Sequence, residues 1–302
     1  MPNTLAHIGL QVSATKAVAK DFDPRLVLVG CVIPDLPWIL QRLLNVTPLD
    51  VLDVRAYTLI MASPFFCTIF ALSFGLFFKR WMWVFAGVSI QCLLHLLLDG
   101  LQDKKGAGIH WFAPFNWTEF SFPIFPMEGW IIHTTSILGI CVSILILWLT
   151  IKHLPKWRIS SMSSVPRIKG GLIITLFGIY TLLPLALLDQ PINANVHNLA
   201  IWGRLIERKG KQIRLDRCQF EPGSPAKIKD SLSKDWISIS GIDLKEPATV
   251  SLIATFIKAD QLRADSYFIH TKGLRSFYTM IGLGFIVLIF LTSTSFRKEL
   301  KE

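Results

Sequence analysis

Charge is what this chain has least of. Only 17% of its 302 residues are Asp, Glu, Lys or Arg, while 52% are hydrophobic and the mean hydropathy is +0.48. Soluble domains carry about 25% charged residues, so one large soluble domain is excluded and a polytopic membrane protein with a modest polar portion is expected. Cysteine is sparse too. Cys31, Cys67, Cys92, Cys141 and Cys218 are scattered, four of them in apolar segments, and none forms a Cys-x-x-Cys; neither a disulfide framework nor a thiolate zinc site is indicated. The net charge is +10, yet there is no basic stripe with interleaved aromatics and no nucleic-acid motif. Membrane-flanking Lys and Arg account for the excess, and nucleic acid is not an expected partner. The start of the chain lacks the basic segment and apolar core of a signal peptide, so membrane targeting is expected from later helices. No internal repeat is evident.

Long apolar runs are what the chain does have. Residues 57–78, 83–101, 130–151, 172–188 and 277–294 are each long and apolar enough to cross a bilayer, which takes about 20 residues. If all five cross, Lys79-Arg80, the 152–169 connection and the tail after 294 share one side with ten basic residues, against Lys104 and Lys105 in the opposing 102–127 loop. The positive-inside rule makes the basic side cytoplasmic, so the C-terminus is cytoplasmic and 190–275 lies outside. That outside segment reads as β structure. Runs at 200–206, 212–215, 236–239, 249–257 and 266–270 are rich in Ile, Val, Thr and aromatics, with turn signals between them. A small barrel or sandwich, of oligonucleotide/oligosaccharide-binding type, is the expectation.

The first 44 residues are expected as a helical hairpin or re-entrant element. Residues 5–19 suit a weakly apolar helix; residues 26–44 nearly span, but Pro34-Asp35-Leu36-Pro37 should interrupt them. If residues 26–44 do cross, His7 should fall on the cytoplasmic side. The fold class is thus an α-helical polytopic membrane protein: about five spans plus an N-terminal helical hairpin, with a small all-β extracytoplasmic domain. The expected units are a membrane-embedded helical domain over residues 1–189, a β domain over 190–274, and a last helix with tail over 275–302.

Within the apolar 83–101 run, His95 and Asp99 stand four residues apart and so share one helix face. Ionisable groups at membrane depth normally face a protein interior or a wet cavity, which makes the pair a candidate site. His110 in the following aromatic loop, Glu128 and His133 at the next helix start, Asp35 in the proline-flanked step and His7 can converge on the same end. Imidazole and carboxylate donors suit Zn²⁺ first, and also Mn²⁺ or Fe²⁺. The expected ligand set is His7, Asp35, His95, Asp99 and His110, with Asp35, His95 and Asp99 catalytic and Asp35 or Glu128 as general base. The alternative for His95 and Asp99 is a hydrogen bond that fastens two helices.

Pro2-Asn3-Thr4-Leu5-Ala6-His7, Gly30-Cys31-Val32-Ile33-Pro34-Asp35-Leu36-Pro37 and His95-x-x-x-Asp99 occur in that order. Together they resemble the YdjM-type family of bacterial inner-membrane proteins, described as membrane-bound metal-dependent hydrolases. The resemblance covers about residues 1–120 and maps the family's N-terminal His, Pro-Asp step and His-x-x-x-Asp onto His7, Pro34-Asp35, and His95 with Asp99. It departs where many relatives carry a second Asp/His step and a His-Arg-Gly-x-Thr-His-Ser-like segment. Here residues 53–58 read Asp-Val-Arg-Ala-Tyr-Thr, and no histidine stands between His7 and His95. His110 is the residue expected to fill that gap.

The resemblance implies a metal-dependent hydrolase of the bacterial inner membrane. Location at an interface points to a lipid or lipid-linked ester or phosphoester as substrate. The rival expectation is a non-catalytic scaffold or envelope assembly protein whose β domain binds a protein, an acidic polysaccharide or anionic headgroups. A transporter is a third reading, which would call for repeated broken helices.

Overall fold

The computed structural model describes residues 3–105, 108–126, 128–154, 166–203, 207–230 and 236–293. Helix α1 (Thr4–Val18) begins at Asn3, whose Oδ1 accepts the Ala6 N–H at 3.0 Å. The chain turns at residues 19–23, where Lys16 Nζ donates to the carbonyls of Lys20 and Phe22. Helix α2 (Pro24–Val32), a 3₁₀ turn (Ile33–Asp35) and α3 (Leu36–Leu44) follow without a gap.

The hairpin is present, but its second arm is not interrupted as expected. Pro24–Leu44 is 21 residues of continuous helical chain, long and apolar enough to cross a membrane. Pro34 and Pro37 occupy first-turn positions of the 3₁₀ turn and of α3. The missing N–H would have no intrahelical partner there anyway, so the helix tightens and continues.

The break comes elsewhere. Residues 57–78, expected as one span, divide into α4 (Val51–Met61) and α5 (Pro64–Gly75), bent by 64°. Pro64 cannot donate back into α4, and it holds Ser63 in extended backbone (φ −73°, ψ 156°), so a new helix starts. Helices α6 (Trp81–Leu101), α7 (Trp130–Lys152) and α8 (Arg167–Ala186) are further candidate spans. Two short helices follow, α9 (Asp189–Asn193) and α10 (Leu199–Gly203). The second overturns the strand expected at 200–206: its Ile201 and Trp202 pack against the β core from a helix, and residues 204–206 lie outside the described residues. After the β region comes the last candidate span, α11 (Leu274–Ser293). The described residues hold five such helices, or six if the bent pair is one span. The basic segments 155–165 and 294–302 are outside the described residues.

Small residues set how closely α1 sits on its neighbours. A Cβ on Gly139 of α7 would overlap the Leu5 carbonyl, and one on Gly9 would lie 2.8 Å from the Gly139 nitrogen. Ile8, Val12, Leu28, Ile146 and Ile286 fill the seam between α1, α2, α7 and α11. Helix α1 runs antiparallel to α6: His7 meets Asp99 near one end, and Thr15 Oγ1 accepts from Gln91 Nε2 at 2.8 Å two turns further in. His7 therefore shares an end with Asp99 although Pro24–Leu44 is of spanning length. The structure keeps His7 beside Asp99 because α1 itself runs back along the bundle.

Strands β1 (Gln212–Glu221), β2 (Ala226–Lys229), β3 (Ile237–Ser240), β4 (Ala248–Lys258) and β5 (Gln261–His270) close a barrel in the order β1-β2-β3-β5-β4. All pairings are antiparallel except β3 with β5. Alternating residues such as Ile213, Leu215, Phe220, Val250, Leu252 and Leu262 point inward; each full burial contributes about 1.5–3 kcal/mol. The β1–β4 register shifts between Leu215 and Cys218, so Asp216 and Arg217 together oppose Ser251.

Candidate metal centre

The site is built by three helix segments. Asn3 Nδ2 donates to Ser136 Oγ of α7 at 2.7 Å, which pins the start of α1 and places His7 in its first turn. Helix α6 presents His95 and Asp99 on one face, and the 3₁₀ turn presents Asp35 beside them. His7 Nε2 lies 3.2 Å from Asp99 Oδ1, and His95 Nε2 lies 4.0 Å from Asp99 Oδ2 and 3.6 Å from Asp35 Oδ1. Both imidazoles are fully buried. With Asp99 ionised, the His7 bond requires the proton on Nε2, and Nδ1 then accepts from Gln11 Nε2 at 3.4 Å. Lys104, from the loop after α6, brings its Nζ to 3.3 Å from Asp99 Oδ1.

One donor atom from each of His7, His95 and Asp99 fits within 4.8 Å of the other two, so the group could hold a metal ion. Tetrahedral donors about 2.0–2.1 Å from zinc stand roughly 3.4 Å apart; His7 Nε2 is 3.2 Å from Asp99 Oδ1, while His95 Nε2 is 4.0 Å from the other carboxylate oxygen, Oδ2. A second observation supports the fit. Neither ring nitrogen of His95 has a hydrogen-bond partner, nor does Asp35 Oδ1. Leaving a buried polar atom unsatisfied costs about 1–3 kcal/mol, and an ion bound at His95 Nε2 removes one such cost. Asp35 and Asp99 both line a cavity of about 530 Å³ that extends between the helical bundle and the barrel, so the buried group has an opening.

Of the expected ligands, the structure brings together His7, Asp35, His95 and Asp99. His110 stays apart. Ile109 pairs with Phe120 as an antiparallel bridge, and this turns the His110 ring to Trp117, whose carbonyl lies 3.0 Å from Nδ1. Burial, outweighing the pull of Glu119, holds His110 below its ordinary 6.5.

Glu128 and His133 serve other contacts. His133 Nδ1 faces Tyr278 Oη at 3.1 Å. Glu128 fastens the barrel: Oε1 lies 2.8 Å from His270 Nδ1 and 3.3 Å from Arg217, and Oε2 accepts the Thr271 N–H at 2.9 Å. His270 Nε2 in turn meets Ser251 Oγ at 2.6 Å, within the bulge where Ser251 accepts the Arg217 N–H and bonds Asp216. Burial would raise the Glu128 carboxyl, but the Thr271 N–H and His270 outweigh it and hold the group below its ordinary 4.5.

Sequence reasoning missed Lys104, Gln11 and the cavity arginines. Gln11 was findable, standing four residues after His7 on the same helix face. So was Lys104, which with Lys105 forms the one basic pair in a loop otherwise poor in Lys and Arg. The arginines come from separate elements and leave no local pattern. No family model, curated protein or solved structure matches this chain.

Proposed function

We propose that this protein is a membrane-embedded, metal-dependent hydrolase of the bacterial inner membrane. It acts at the outer face on an ester or phosphoester of a lipid or lipid-linked molecule. The observation that carries the reading is the buried His7, His95 and Asp99 group with its unsatisfied His95 nitrogens. The orientation rests on the positive-inside rule, with Lys79-Arg80 at the end of α6 opposite Asp99 and the basic residues of the 152–169 connection counted from the sequence. The order of motifs that resembles the YdjM-type family supports the same activity.

A divalent ion held there, zinc first and manganese or iron next, supplies a water molecule acidified towards neutrality. The protein's own groups do the rest. His7, His95 and Asp99 hold their donors in a water-poor pocket; for His7 to offer Nε2 its proton would sit on Nδ1, where the Gln11 amide, turned to present Oε1, would accept it. Asp35, 14% exposed and facing the cavity, is placed to accept a proton at Oδ1. Lys104 restrains the Asp99 carboxylate.

The direct test is elemental analysis of the full chain purified in detergent without chelator, alongside His95→Ala and Asp99→Ala. Near-stoichiometric metal in the parent and at least a tenfold loss in both variants is expected. Equal metal content in all three removes the site. A scaffold role is favoured by one observation, that Lys104 and His7 already satisfy Asp99 without an ion. In that case the variants lose thermal stability and the parent carries no metal.

A further inference from the structure

Among the charged side chains that line the cavity opening on Asp35 and Asp99, cations are in excess. Seven Lys and Arg side chains face it against four Asp. Three of the seven have ion-pair partners: Lys104 with Asp99, Lys105 with Asp103 and Arg217 with Glu128. The other four are Arg42 of α3, Arg55 of α4, Arg214 of β1 and Arg275 of α11; none has an ion pair within 4.0 Å among the described residues. Arg55 lies over the Trp38 ring, 4.6 Å from its centroid, and donates to Gln41 at 3.1 Å, while its buried Nε has no partner. Guanidinium groups that outnumber the carboxylates facing them, and that none of those carboxylates pairs with directly, present forked donors to phosphate oxygens. A recess lined by one excess sign also focuses the field on an incoming anion.

The uncharged lining is part polar, with several Thr and amide side chains, and part apolar. Trp38 and Ile39 of α3 face the same space as Leu283 of α11, and Ile39 is 36% exposed. A volume of about 530 Å³ falls in the range of small-molecule sites and exceeds what one phosphate needs.

We infer that this cavity receives the phosphate-bearing headgroup of an anionic amphiphile, with the arginines on the phosphate and the Trp38–Ile39–Leu283 wall against the start of its apolar chain. The inference rests on the hydrolase reading for what happens next, and it narrows the substrate class to phosphate-bearing lipids. Phosphate oxyanions also come from soluble esters; the Trp38, Ile39 and Leu283 side chains favour the lipid.

The test titrates the full chain, in phosphatidylcholine nanodiscs, with dioctanoyl phosphatidic acid, dioctanoylglycerol and inorganic phosphate, reading tryptophan fluorescence. Phosphatidic acid is expected to bind at least tenfold more tightly than either of the others. The double variant Arg42→Gln/Arg214→Gln is expected to lose at least tenfold, and Arg42→Lys/Arg214→Lys to recover some of it. Both positions are exposed, so the fold should survive, and metal content measured on the same samples should not change. Equal binding of dioctanoylglycerol, equal binding of inorganic phosphate, or an unaffected Gln variant overturns the inference. Selective lipid binding by a protein without metal sinks the hydrolase reading alone; metal without selective binding sinks this inference alone.

Discussion

The imidazoles of His7 and His95 lie face to face, ring centroids 3.8 Å apart and planes 4° from parallel. Two protonated rings at that distance would repel by about 4 kcal/mol even at an effective dielectric of ~20. An imidazole must also be unprotonated to offer Nε2 to an ion, so protons compete with metal at both rings. The dissociation constant for zinc, measured by competition with a chromogenic chelator, should rise once the pH is lowered far enough for a ligating ring to take up a proton. His7→Ala should give a shallower slope and weaker binding at pH 7. A pH-independent affinity would show that neither histidine is a ligand.

The distance from α1 to α7 decides whether His7 reaches Asp99. Gly139 has no room for a side chain, because a Cβ would overlap the Leu5 carbonyl. Gly139→Leu should push α1 outward and cost about 1–3 kcal/mol by overpacking. It should also lower metal content, although Gly139 is no ligand. Gly178 of α8 has nothing within 4 Å of a built Cβ; Gly178→Ala should leave metal content alone and be neutral or stabilising by up to about 1 kcal/mol. Thermal unfolding in detergent together with elemental analysis checks both.

His95 and Asp99 were legible because an i, i+4 pair in an apolar run is a local signal, and a helix converts it directly into a shared face. His7 and Asp35 were legible only as short motifs, since their meeting with His95 depends on the hairpin of α1 and α2. The two proline readings went wrong in opposite directions. Pro34 and Pro37 were expected to break a helix that they only tighten, while Ser63-Pro64 passed unnoticed inside the apolar run that it bends. Hydropathy averages over a window, whereas the effect of a proline depends on whether its position needs an N–H. The five-strand estimate survived with one substitution. Residues 200–206 have strand-like composition, but helix α10 covers their first half, and the short β2 with Ile228 facing inward supplies the fifth strand. Strand propensity follows packing surroundings, and the β1–β4 closure that creates them is not local. The same holds for the cavity arginines, which gather from α3, α4, β1 and α11.

The barrel is fastened to the bundle by a pH-sensitive contact. Burial, with Arg217 adding to it, holds His270 below its ordinary 6.5 despite the pull of Glu128. Above pH 6.5 His270 is neutral in both folded and unfolded chains. As pH falls below 6.5, the unfolded chain takes up a proton that the folded contact resists, so stability declines until the lower folded pKa is passed. Glu128, also depressed, adds a second loss that begins near 4.5 and continues below it. Protection factors of the amides around Glu128 and Thr271, corrected for the intrinsic exchange rate, should therefore fall between pH 7 and 5.5. His270→Gln should flatten that stretch of the profile, and an unchanged profile would place the sensitivity elsewhere.

Lys104 separates the metal reading from the scaffold reading. Its ion pair with Asp99 is buried, with side-chain exposures of 7% and 6%. Removing one partner of a buried pair costs about 3–5 kcal/mol, because the other charge stays behind uncompensated. Lys104→Met should therefore destabilise the metal-free protein strongly. A bound divalent ion restores positive charge beside Asp99, so the loaded variant should lose much less. The stabilisation that added zinc confers should then be larger in Lys104→Met than in the parent, by thermal unfolding at matched zinc concentrations. If His95 and Asp99 merely fasten helices, zinc should shift neither protein, and the Lys104→Met deficit should stay the same with and without the ion.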